Sequence, residues 1–139
     1  MSPMTVYVLD SSAVLRFFDK EPGADRVREI LRNSVTGQSE VCISAIQWGE
    51  IAGKLRKRLG AGNENHALAS ILPEEAMVIP ATAERAVRAA SLKVDRNLAY
   101  ADGFAVDLAM ESPDHVLLTA DYGFKSVDDV ARIEFLPAK

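Results

Sequence analysis

A single cysteine, two histidines and few aromatic side chains (6%) leave this chain short of the groups proteins use for disulfide, zinc and base-stacking chemistry. Cys42 alone closes no internal disulfide, and its neighbours Val41 and Ile43 mark it as a buried strand residue with an inert thiol. No apolar run approaches the roughly 20 residues that span a bilayer. The chain opens without a basic region followed by an apolar core, so no signal peptide is expected and the cytoplasm is the expected location. Positive charge is also in deficit: 16 basic against 20 acidic side chains leave a formal net charge of −4, which excludes holding nucleic acid by bulk charge alone. Local basic patches remain compatible with that balance, as do metal ions that reverse the sign of an acidic pocket.

What is present suits one globular domain, 1–139, with 48% hydrophobic side chains for a single core. The apolar run Val6 to Leu9 reads as a buried strand that ends at Asp10. A short helix from Ser12 to Phe18 follows, capped by Asp10, Ser11 or Ser12, and Pro22 and Gly23 break the chain before a helix from Ala24. Val41 to Ile43 is a second strand. Ser44 then caps a helix from about Ala45 to Leu59, with Trp48, Ile51, Leu55 and Leu59 at helical spacing. A Gly/Asn loop, 60–65, leads to a short helix from Ala67 to Leu72 that Pro73 stops. Met77 to Ile79, Val116 to Leu118 and Ile133 to Leu136 supply three further strands, the last at an edge. Helices near 82–94, capped by Thr82, and 99–110 separate them. Strands alternating with helices imply right-handed crossovers and an α/β/α sandwich of three layers around a mainly parallel sheet of four to five strands.

Four carboxylates recur at its strand ends and helix starts. Taken singly, Asp10 suits an N-cap, Glu50 a solvated helix position, Asp102 a first helical turn and Asp121 a turn. At about 100° per residue, however, Asp102 flanks the apolar stripe of its helix and Glu50 lies beside that of its own, while Asp107 falls on the solvent side. Carboxylates near a core are costly unless paired or metal-bound. The topology carries all four to the carboxyl edge of a parallel sheet, where ligands bind. Such an all-oxygen pocket suits Mg²⁺ or Mn²⁺ better than Zn²⁺ or Cu²⁺.

Four stretches, Val6 to Leu15, Ile43 to Ile51, Tyr100 to Ala105 and Leu118 to Phe124, resemble in order the acidic motifs of PIN-domain ribonucleases. Lys20 to Ala24 resembles the loop of VapC-type toxins from bacterial toxin–antitoxin pairs. The resemblance covers essentially the whole chain. It implies a metal-dependent endoribonuclease with catalytic acids Asp10, Glu50, Asp102 and Asp121, supported by the hydroxyl residues Ser11 and Thr119. Asp10, Asp102 and Asp121 would ligate Mg²⁺ or Mn²⁺, and Glu50 would hold the attacking water. Where some members carry a further acid, two residues after the fourth motif's Asp, this chain has Gly123.

The implied partners are an RNA substrate, a cognate VapB-type antitoxin and a second copy of the chain, with no membrane. Trp48, Leu55 and Leu59 suit either those contacts or the core. Lys54, Arg56, Lys57 and Arg58, which follow Glu50 on its helix, are candidates for the RNA backbone, with Arg85, Arg88, Lys93 and Arg96 a second set. Other classes fit less well. A phosphoaspartyl receiver needs an acidic pair where Ser11 and Ser12 stand, and a haloacid-dehalogenase-like phosphatase needs Asp-x-Asp where the chain has Asp10-Ser-Ser12. A catalytically silent PIN-like binding module is the remaining alternative.

Overall fold

The computed structural model describes residues 4–71 and 77–139. In chain order the elements are β1 (Val6–Leu9), α1 (Ser11–Asp19), α2 (Ala24–Val35), β2 (Glu40–Ser44), α3 (Ala45–Leu59), α4 (Asn63–Ala69) and β3 (Val78–Ile79). There follow α5 (Ala83–Arg96), α6 (Tyr100–Ala109), β4 (His115–Thr119), a 3-10 helix (Tyr122–Val127) and β5 (Ile133–Phe135). The strands form one five-stranded sheet in the order β3-β2-β1-β4-β5, parallel throughout.

Side-chain alternation along β1 and β4 builds two cores. Leu9 and Leu118, side by side in the register, pack with Val14, Val27, Ile30, Ile51 and Leu55 under α1 to α3. Val8 and Leu117 face the other way, against Ala105, Leu108, Phe124 and Val127. The sheet is therefore covered on both faces, as buried parallel strands require. Because the chain winds outward from β1 first toward β2 and later toward β4, the carboxyl ends of β1 and β4 flank a topological switch point.

Local rules explain the helix starts. The Ser44 hydroxyl accepts from Ile46 N at 3.1 Å and that of Thr82 from Arg85 N at 3.3 Å, satisfying amides that a first turn leaves free. Gly103 lets α6 press on α5, since a Cβ there would stand 2.8 Å from the Ala89 carbonyl oxygen. No described helix is long and apolar enough to cross a membrane.

Two expectations need correction. The short helix begins at Asn63, inside the segment expected to be loop, because Gly62 turns the chain with φ +89° and the Asn63 side-chain amide donates to the Leu59 carbonyl at 2.7 Å. Its expected end at Leu72 and Pro73 lies outside the described residues. Asp107, expected at the surface, is 5% exposed. It faces α5, where Arg85 bonds it at 2.8 Å and Arg88 holds its other oxygen, so paired cations make its burial possible. Of the apolar residues on α3, Leu55 is core, Trp48 packs half-buried against the core, and Leu59 is exposed.

Candidate functional site

Asp10 leaves β1 as the N-cap of α1, its backbone extended and its side chain turned back over the helix start. One oxygen, Oδ2, does the capping: it accepts from Ser12 N at 3.3 Å, from the Ser12 hydroxyl, and from Thr119 Oγ1 at 2.9 Å. The other, Oδ1, is buried and has no partner within hydrogen-bond distance among the described residues, with the Gln47 amide near the carboxylate. Asp10 is thus a cap through one oxygen and keeps the other free.

The two hydroxyls that hold Asp10 also engage the backbone that follows β4. The Ser12 hydroxyl accepts from Ala120 N at 2.9 Å, and that of Thr119 from Asp121 N at 2.9 Å. Sequence reasoning put the supporting hydroxyls at Ser11 and Thr119. The structure puts the hydroxyls of Thr119 and Ser12 on Asp10, and Ser11 beside Glu50.

The remaining acids reach the same cleft, of about 570 Å³, from three other elements: Glu50 from α3, Asp102 from the first turn of α6, and Asp121 from the end of β4. Asp102 is half-buried, while Glu50 and Asp121 stand exposed. Asp121 Oδ1 accepts from Gly123 N at 2.8 Å, so the backbone at 123 occupies one of its oxygens. Burial, then the nearby Asp10, Asp121 and Glu50 charges, push the Asp102 carboxyl up to about 7. Burial followed by the Asp10 charge raises Glu50, against the pull of Lys54 and Ser11. Asp10 is raised by burial, against the bonds from Ser12 and Thr119 and the nearby Gln47 amide.

Among the described residues, four cations line the cleft. Lys54 and Arg58 line it, one and two turns beyond Glu50 on α3, as do Arg16 and Lys139. Arg58 is tied to Asp19 at 2.6 Å, Lys139 to Glu21, and Arg16 to the Pro22 and Pro137 carbonyls, both at 2.7 Å. Arg56 instead bonds Glu64 at 2.9 Å, and neither it nor Lys57 lines the cleft. In the second basic set, Arg85 and Arg88 are spent on Asp107 and Arg96 on Asp129.

One buried polar residue escaped the sequence reading. Gln47 on α3 is fully buried (0% exposed) and bonds both Ser11 and Asp102. Its place within a helical apolar stripe hid it; a polar residue one turn before Glu50 was the available signal.

A PIN domain model matches residues 7–130. The chain belongs to the PIN domain family. Among solved structures, a DNA-bound VapBC from Salmonella typhimurium is similar at 18% identity, over 95% of this chain and 98% of that one, with a TM-score of 0.68. VapC20 of Mycobacterium tuberculosis, described as a sarcin–ricin loop cleaving toxin, aligns at 18% identity over 87% of this chain and 94% of its own (TM-score 0.66). FitAcB from Neisseria gonorrhoeae aligns at 20% identity, 91% and 95% coverage and a TM-score of 0.65. Comparison with curated proteins gives no match. The PIN fold thus accounts for the layered architecture around the parallel sheet.

The donor set fits a hard divalent cation. It offers carboxylate oxygens, one of them buried without a partner, and no histidine or thiol. Among the described residues, no three carboxylate, histidine or cysteine side chains stand close enough to enclose one ion as they are.

Proposed function

We propose that this PIN domain is an endoribonuclease that depends on Mg²⁺ or Mn²⁺ and is the toxin of a toxin–antitoxin pair. The observation that carries the reading is Oδ1 of buried Asp10, without a hydrogen-bond partner among the described residues, in a cleft that Glu50, Asp102 and Asp121 also line. A cation bound there would supply the charge that draws a scissile phosphate in and makes water easier to deprotonate.

The chain's own residues have separate tasks. Asp10 and Asp102 would hold the cation, with Asp121 as a third ligand. Ser12 and Thr119 fix the Asp10 carboxylate by engaging its other oxygen, leaving Oδ1 as the ligating atom. Glu50 is exposed at the cleft, where it orients the attacking water and takes its proton. Lys54 and Arg58 steady the RNA backbone on the rim.

Family membership and the fold shared with VapBC and FitAcB structures support a VapB-type antitoxin, and a homodimer in the cytoplasm completes the proposal. The deciding measurement is cleavage of a structured RNA with Mg²⁺ or Mn²⁺, with and without EDTA. The reading expects cleavage that EDTA stops; cleavage indifferent to EDTA would sink it.

A further inference from the structure

Gln47 does not itself line the cleft, yet its side chain bonds residues that do. Its Oε1 accepts from Ser11 N at 2.9 Å, at the start of α1 beside Asp10. Its Nε2 lies 3.4 Å from both the Ala101 carbonyl oxygen and Asp102 Oδ1, at the start of α6. A fully buried amide is unfavourable in a core unless bonded, and every partner of this one belongs to or adjoins the site. From α3 it therefore braces the N-termini of the two helices that carry the deepest acids.

We propose that Gln47 is a positioning residue that sets the spacing and orientation of Asp10 and Asp102 for binding a divalent cation. The proposal rests on the metal-dependent reading above. Gln47 does not line the cleft, so its effect must pass through the two carboxylates rather than through RNA. Outer partners of metal-binding carboxylates typically change metal affinity by about 10–100-fold when removed.

The test is Gln47→Met, which keeps the volume and loses the bonds. Mn²⁺ affinity is measured by electron paramagnetic resonance, alongside cleavage of a structured RNA. The expected result is Mn²⁺ affinity weakened by about 10–100-fold, a metal-activation curve displaced by the same factor, and an unchanged RNA KM at saturating Mn²⁺. Affinity within twofold of an active wild type would overturn the proposal, as would a raised RNA KM with unchanged metal affinity. Wild type that binds no Mn²⁺ would overturn this proposal and the metal-dependent reading together. If Gln47→Met does not fold, Gln47→Asn replaces it. Its amide is one methylene too short to serve both helices, and it is judged by the same twofold criterion.

Discussion

Asp10 and Asp107 are both carboxylates at least nine-tenths buried, yet their surroundings differ in kind. Asp107 meets two guanidinium groups, and Arg85 is held in turn by Glu111, so charge is balanced within the fold. Asp10 meets hydroxyls, a backbone amide and the Gln47 amide, all neutral, and shares its cleft with Glu50, Asp102 and Asp121. A buried acid with matched cations is a solution to packing two helices. An acid left short of positive charge, one oxygen without a partner, is a cost the fold does not offset from within. That difference, rather than burial itself, separates a structural carboxylate from one that waits for a ligand.

Substituting each acid in turn sharpens the contrast. Asp10→Asn should lower RNA cleavage by about 10³-fold or more, since it removes a ligand for charge stabilisation worth several kcal/mol. The same change should not lower the melting temperature in EDTA, because an amide keeps acceptors for Ser12 and Thr119 and loses the unfavourable charge. Retained cleavage would remove Asp10 from the site. Asp107→Asn should do the reverse. Loss of the charged bonds of a buried carboxylate should destabilise the domain by about 1–3 kcal/mol, read from urea unfolding, with kcat unchanged per folded molecule. A collapse of kcat in folded Asp107→Asn would mean that the two clusters are not independent.

The pH dependence of stability gives a smaller contrast with a definite sign. Asp102 is raised from 3.8 to about 7 in the folded chain, so the native state holds its proton where the unfolded chain has released it. Its contribution is fully present below about 4 and is lost as pH rises through about 7. In EDTA, the melting temperature of wild type relative to Asp102→Asn should therefore fall across that window. Saturating Mn²⁺ should reverse the trend, because it stabilises the ionised form. A relative stability that stays flat with pH in EDTA would mean that Asp102 does not carry the acid cluster's repulsion.

Much of this was legible in the sequence because it rests on local rules. The strand ending in Asp10, the hydroxyl caps at Ser44 and Thr82 and the alternation of strands with helices fix the parallel sheet and bring four acids to one edge. What escaped depends on tertiary partners. Asp107 lies opposite one apolar stripe, but α5 covers that side and supplies two arginines, which periodicity within α6 cannot reveal. The Ser11/Ser12 distinction turns on which hydroxyl points back at the cap, and Gln47 on which neighbours reach a buried amide. The four basic residues on α3 separate only once Glu64 and the cleft are in place.

That separation supplies the most delicate test of the cleft as a path for RNA. Glu50, Lys54 and Arg58 recur every fourth residue along α3 and line one wall, whereas Arg56 and Lys57 face elsewhere. If the backbone of a single-stranded substrate follows that wall, Lys54→Ala and Arg58→Ala should each remove about one phosphate contact. For a single strand, each lost contact reduces the slope of log affinity against log salt by about 0.7. Arg56→Ala and Lys57→Ala should leave the slope unchanged, which controls for the loss of net charge. The comparison is best made by fluorescence anisotropy with labelled RNA on the Asp10→Asn background, where cleavage is suppressed. The Arg58 arm should be the weaker of the two, because Asp19 already holds that guanidinium and must release it to the phosphate. Equal slopes for all four variants would mean that α3 contributes only diffuse attraction, and the path of the RNA would have to be sought on another wall of the cleft.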